Sequence, residues 1–226
     1  LDAGELDFAA LLNGSASHLS SERRYLRADG MTVWLPRDLA LVPGARGGQD
    51  VAVAQFQDVT ARKRAEAELT RLAVTDQLTG LHNRHALVDA VTRRHVDAPD
   101  ESIGVIFIDL DGFKQVNDTH GHAVGDAVLA AAAARLQQLV GPSGSSYRLG
   151  GDEFVVLIPT IADTSSKPEL VQRIAERLSE RYDTGTMPVR IAASVGYACG
   201  VTDDVEKLLR AADADMYRDK ARPRVI

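Results

Sequence analysis

The chain has 226 residues, a net charge of −6, 45% hydrophobic and 26% charged residues; this is an ordinary globular composition, enough for one large domain or a medium one beside a small one. The acid excess argues against bulk nucleic-acid binding through a basic surface. The single cysteine, Cys199, excludes an internal disulfide and fits a reducing, cytoplasmic setting, and no run reaches the ~18 apolar residues of a membrane span, so no membrane insertion is expected.

No signal-peptide pattern opens the chain, and Leu1 starts in mid-pattern, so the sequence is expected to be a piece of something longer. Short β-like runs follow, at Glu22 to Ala28, Thr32 to Val42 and Val51 to Val59. Turn signals separate them at Asp29-Gly30 and from Pro43-Gly44 to Gly47-Gly48. Three antiparallel strands with so few core residues make a poor independent domain, so residues 1–58 are expected to be part of one or to pack on a partner. Thr60 is placed to cap a helix running to Val74. Ala61, Ala65, Leu69 and Leu72 share one stripe opposite a charged face. That pattern suits either a surface helix or a short two-stranded coiled-coil linker, and two heptads do not decide between them.

From residue 75 to 226, helix and strand alternate. Ile103 to Ile108 reads as a strand buried on both faces. Asp126 to Val140 is an alanine-rich helix ended by Gly141-Pro142. The hairpin turn Arg148-Leu149-Gly150-Gly151-Asp152-Glu153 leads into an apolar strand, Phe154 to Ile158, bounded by Pro159. A helix from about Pro168 to Tyr182, a strand from Val189 to Tyr197 and a last helix from about Asp204 to Lys220 complete the chain. The alternation predicts an α/β layer fold, and the hairpin makes its sheet mixed.

The chemistry concentrates at the ends of these strands. Asp152 and Glu153 are costly to desolvate without a cation or a donor. Their alternative is a hairpin tip carrying solvated acids. Asp109 ends the apolar strand, where acids commonly serve a ligand; its alternative is the N-cap of a helix beginning at Gly112, a role equally open to Asp111 with Asp109 left free. If the two strands are neighbours, three carboxylates converge and must bind a divalent ion or titrate high. Magnesium suits such a set. Asn117 and Asp126 have the groups to read a guanine edge, with a helix N-cap as the other role for Asp126. His120 and His122 do not face one another on a helix, and no cysteine accompanies them, which speaks against zinc. Lys220 and Arg224, at the end of the last helix, serve either the helix dipole in solvent or a phosphate. Neither a P-loop nor a Gly-x-Ser-x-Gly elbow is present.

Five separated segments, in order, resemble the GGDEF family of diguanylate cyclases over residues 70–226. They are Asp76 to Arg84, Ile108 to Asp118, His120 to Asp126, Arg148 to Phe154 and Ala214 to Lys220. The resemblance implies a five-stranded mixed sheet flanked by helices, as in nucleotidyl cyclases and polymerase palms. It implies condensation of two GTP into cyclic di-GMP and two pyrophosphates in bacterial signalling. Asp109, the Leu110 carbonyl, Asp152 and Glu153 would hold Mg²⁺, or Mn²⁺. Asn117 and Asp126 would read guanine. Phe113, Lys114, His122, Lys220 and Arg224 would contact ribose or phosphates, and Gly150 and Gly151 would leave room for the nucleotide. Glu153 is the family's usual candidate for deprotonating the attacking 3′-hydroxyl. Each domain would hold one GTP, so a homodimer is the expected active species. A non-catalytic GTP- or cyclic-di-GMP-binding regulatory module is the alternative. Many members carry an Arg-x-x-Asp product-inhibition motif; here Gly141-Pro142-Ser143-Gly144 stands in its place. Residues 1–58 resemble the C-terminal part of a PAS sensor, of unknown ligand, with 59–74 as a signalling helix and 75–226 as the cyclase domain.

Overall fold

The computed structural model describes residues 11, 13, 15–43, 49–159, 166–185, 187–201 and 205–221. The chain divides into two compact units, Leu1–Thr70 and Arg71–Ile226, so the division falls inside the predicted helix.

The first unit is an antiparallel sheet in the order β1 (His18–Leu26), β2 (Thr32–Val42), β3 (Val51–Phe56). The Asp29-Gly30 signal does close the first hairpin: Asp29 Oδ1 accepts from Met31 N at 2.9 Å. β1 begins four residues before the predicted start at Glu22, in a polar stretch that hydropathy does not mark. β3 is regular to Phe56 rather than Val59, and beyond it Gln57 and Val59 keep the same register with β2, donating to the Pro36 and Trp34 carbonyls at 3.3 and 3.0 Å. The helix α1 (Thr60–Val74) forms as predicted. Its cap differs from the prediction: Asp58 Oδ1 accepts from Thr60 N at 2.9 Å, while the Thr60 hydroxyl accepts from Trp34 N at 2.8 Å. On the predicted stripe, Leu69 and Leu72 are 66% and 44% exposed.

The second unit runs β4 (His82–Asn83), α2 (Arg84–Asp97), β5 (Ser102–Asp111), α3 (Phe113–His120), α4 (His122–Val140), β6 (Ser145–Gly150), β7 (Glu153–Pro159), α5 (Ser166–Leu178), β8 (Tyr182–Asp183), β9 (Pro188–Val189), β10 (Ala192–Val201) and α6 (Val205–Lys220). Five strands form a mixed sheet in the order β10-β5-β7-β6-β4, parallel between β4 and β6 and antiparallel elsewhere. This is the mixed α/β fold that the sequence predicts.

Alternation along β5 fills both faces. Ile106, Ile108 and Leu110 join one core cluster with Val128, Ala132 and Leu136 of α4 and Ile174 of α5. Val105 and Phe107 join the other with Leu87 of α2 and Leu209 and Met216 of α6. Each large side chain so buried contributes about 1.5–3 kcal/mol, and that burial holds the strands in register. Asp109 shares the parity of Phe107, so it lies on the α6 face. On that face α6 approaches the edge strand β10 closely. A Cβ on Gly196 would collide with the Met216 N and Ala212 O of the helix backbone and stand 2.7 Å from Met216 Cα. Asp215 and Asp219, one turn apart on α6, accept from the Tyr197 and Val195 N–H groups at 2.9 and 3.3 Å, which satisfies the edge that β10 would otherwise present.

Two predicted boundaries are corrected. The helix expected to reach Tyr182 stops at Leu178, where the Arg135 guanidinium donates to the carbonyls of Arg177, Glu180 and Arg181 at 3.1, 3.0 and 2.5 Å and lies 3.9 Å from the Tyr182 ring centroid. The strand expected over Val189 to Tyr197 is two: β9 pairs with β8, and β10 starts afresh at Ala192 beside β5.

Replacing Gly196 with Ala should cost about 3 kcal/mol of stability, since helix backbone rather than a movable side chain must give way. Urea denaturation of the two proteins checks this; midpoints that coincide would contradict the packing described.

Candidate active site

β5 and β7 pair so that Asp109 stands directly opposite Glu153, and Leu110 N donates to the Asp152 carbonyl at 3.3 Å. Asp152 sits with Gly151 at the tip between β6 and β7, where the ladder shifts register between Arg148 and Gly150. Gly150 and Gly151 take φ of 146° and 54°, backbone that residues with a Cβ adopt at a cost.

Arg148 fixes this turn. Its Nε and Nη2 donate to the Gly151 carbonyl at 3.1 and 2.7 Å, and its Nη1 reaches both Asp76 oxygens at 2.9 and 3.1 Å. Asp76 also accepts from Thr79 N and its hydroxyl at 2.9 and 2.6 Å. Burial would raise the Asp76 pKa, but the Thr79 and Arg148 bonds outweigh it and hold the carboxyl below its usual range. Asn83, the cap of α2, donates back to the Ala73 carbonyl in the last turn of α1 at 2.7 Å. Asp76 and Arg148 lie within the family-like segments, but their pairing has no sequence signature: an Asp followed by Thr at the third position is a local turn signal, and its partner lies 72 residues away.

Two of the acids, Asp152 and Glu153, are raised by lost hydration and by neighbouring negative charge. Asp152 is pushed up by lost hydration first and then by the Asp109 charge, with Lys220 and Arg148 opposing. Glu153 is pushed up by lost hydration, then by Asp109, Asp152 and Asp213, with Arg84 opposing. Lys220 answers part of this charge: its Nζ lies 2.5 Å from Asp109 Oδ1 and 3.7 Å from Asp111 Oδ1. Burial alone would lower the Lys220 pKa; the bond to Asp109 and the charges of Asp109, Asp111 and Asp152 raise it overall. Lys220 is therefore exposed yet ion-paired, and the helix dipole alone does not place it. Asp111 caps no helix: α3 starts from Gly112, and Asp111 accepts from the fully buried Ser194 at 2.7 Å.

The expected carboxylate set is thus gathered at one end of the sheet. Among the described residues no three of them stand in a ready-made metal cluster. The donor chemistry nevertheless fits a hard divalent ion: the carboxylates of Asp109, Asp152 and Glu153, the last two raised by lost hydration and neighbouring negative charge, and a carbonyl on Leu110, whose side chain is fully buried.

The guanine-reading candidates sit on neighbouring helices. Asn117 is on α3; Asp126 is exposed in the second turn of α4, which starts at His122 behind Gly121, so Asp126 is not its cap. His122 opens α4 and is exposed. Phe113 and Lys114 open α3, where backbone N–H groups have no carbonyl inside the helix. The Phe113 side chain is buried, so what it presents to a ligand is its backbone. Arg224 lies outside the described residues.

Residues 73–225 match the family described as diguanylate cyclase, GGDEF domain. The bifunctional diguanylate cyclase/cyclic di-GMP phosphodiesterase MucR of Pseudomonas aeruginosa is 39% identical over 169 residues, 73% of this chain and 24% of that protein. The cyclic di-GMP phosphodiesterase PdeR of Escherichia coli is 32% identical over 193 residues, 84% of this chain and 29% of that protein. The chain therefore spans under a third of the length of these relatives. Among solved structures, the coiled coil and GGDEF domain of DgcB from Caulobacter crescentus, in complex with c-di-GMP, superposes with a TM-score of 0.66 at 28% identity, covering 72% of this chain and 88% of that one.

Asp76→Asn should lower stability by about 2–3 kcal/mol, the worth of hydrogen bonds to a charged group. Because the folded pKa of Asp76 lies below the unfolded one, its contribution is full above about pH 4 and is lost as pH falls through the folded value. Denaturation from neutral pH into acid should show the gap between the proteins constant and then closing; a gap that widens in acid would contradict the pairing.

Proposed function

The chain belongs to the GGDEF diguanylate cyclase family, and on that premise we propose that it condenses two GTP into cyclic di-GMP with release of two pyrophosphates. The observation that carries this is the pairing of Asp109 with Glu153 at the sheet end, beside Asp152 and Lys220. Asn117 and Asp126 hold the guanine edge by a carboxamide and a carboxylate. The α3 N–H groups of Phe113 and Lys114, with the Lys114, His122, Lys220 and Arg224 side chains, hold ribose and phosphates. Gly150 and Gly151 present no side chain at the turn, so the nucleotide comes close to the backbone.

Asp109, Asp152, Glu153 and the Leu110 carbonyl are the ligands for Mg²⁺ or Mn²⁺, which when bound supplies positive charge at the phosphate oxygens and at the attacking hydroxyl. Glu153 takes the proton of a 3′-hydroxyl. The freed oxygen bonds to the α-phosphorus of the opposite GTP, and the bond from that phosphorus to the bridging oxygen of pyrophosphate breaks. A second, symmetric transfer closes the ring. One domain holds one GTP, so two domains must meet face to face, and a monomer is inactive. The helix at 59–74 sets the geometry between the two 75–226 domains, and residues 1–58 act as a PAS-like sensor upstream. With Gly141 to Gly144 where a charged Arg-x-x-Asp motif would stand, product binds weakly at that position.

Incubating the protein with GTP and Mg²⁺ and resolving products by chromatography should give cyclic di-GMP, with a loss of about 10³-fold or more in Asp152→Ala and Glu153→Ala. In the same assay, added cyclic di-GMP at submicromolar levels should leave the initial rate unchanged. A wild type that binds GTP as a dimer and makes no product would leave the non-catalytic regulatory module in its place.

A further inference from the structure

We propose that Gly125 is a positioning residue for guanine recognition: its missing side chain is what lets the Asn117 carboxamide lie where it does. The inference rests on the reading of Asn117 as a guanine contact. Gly125 is the fourth residue of α4, is buried, and has an ordinary helical conformation. No turn or positive φ demands glycine here, and alanine is the better helix former. The space beside it explains the residue. A Cβ at this position would overlap Asn117 Oδ1, and would stand 2.9 Å from Asn117 Cγ and 3.2 Å from Phe113 Cζ. Turning the amide over puts its nitrogen in the same space, so the conflict does not depend on which atom is oxygen.

What gives way decides the consequence. The Phe113 ring is locked in the core against α4. The Asn117 carboxamide is the tip of a side chain with torsional freedom, and its Oδ1 is buried without a hydrogen-bond partner among the described residues. Among the described residues no hydrogen bond therefore holds that oxygen against the intruding methyl. The substitution moves the base reader and spares the core, so stability and recognition change in opposite directions. The neighbouring Asp126 and the phosphate-facing start of α3 stay where they are.

Gly125→Ala should keep or raise the melting temperature. In the free protein it should shift the Asn117 side-chain amide resonances. Calorimetry with an α,β-methylene analogue of GTP, which cannot lose pyrophosphate, should show affinity falling about tenfold, roughly one hydrogen bond. Inorganic tripolyphosphate, which lacks the base, should bind as it does to wild type. In an Asn117→Ala background the same substitution should cost nothing more, because the effect acts through that side chain. A wild type that binds the analogue beside a Gly125→Ala protein that binds it equally well, or unshifted Asn117 resonances, overturns this inference alone. A Gly125→Ala protein that unfolds overturns it too, since the core would then be what yields. A wild type that does not bind the analogue overturns the reading of the site, and this inference with it.

Discussion

Asp109 and Glu153 face each other across two hydrogen-bonded strands, and like charges so placed oppose the pairing that joins them. The sheet tolerates this because the residues next along both strands, Ile108 and Phe154, are completely buried and fix the register. The charge is then answered from outside the sheet. Lys220 comes from α6 to Asp109, and Arg148 holds the turn that carries Asp152. α6 brings its lysine there because its backbone lies against Gly196, so a packing feature on one edge sets an electrostatic one in the middle. What remains only partly compensated is Asp152 and Glu153, both raised by lost hydration and then by neighbouring acids. A protein that keeps such an arrangement without a bound cation carries a local destabilisation, of the kind found where function opposes stability.

Arg148 has a second consequence. The same guanidinium that holds Gly151 grips Asp76, a few residues beyond the end of α1, and Asn83 ties the cap of α2 to the last turn of that helix. The turn bearing the acids and the end of the helix thus share one short chain of hydrogen bonds. Ion pairs of this kind are sensitive to small displacements because their partners are partly buried, with Arg148 and Asp76 side chains 10% and 24% exposed.

Much of the fold was legible because hydropathy reports burial. The run Ile103 to Ile108 named β5, and the alanine-rich stretch named α4. The errors fall where distant partners decide. β5 continues to Asp111, an extension ending in acids that pairing with β10, and with β7 at Asp109, supports. α4 starts at His122 rather than Asp126, since a histidine and a glycine inside a first turn read locally as loop. α5 stops at Leu178, where Arg135, some forty residues earlier, takes the Arg177 carbonyl of its last turn and the Glu180 and Arg181 carbonyls just beyond. The site followed the same rule. The adjacent acids and their glycines announced themselves, whereas Asp76, Asp111 and Ser194 act through partners far along the chain and left no local signal of the role they play.

The central claim is that the acids at the end of β5 and β7 form a cation site for nucleotide phosphates. Mn²⁺ bound per protomer, measured by electron paramagnetic resonance with the α,β-methylene analogue of GTP present, tests it most directly. Wild type should retain Mn²⁺ and Asp109→Asn should lose it while remaining folded; equal retention by the two proteins would contradict the account.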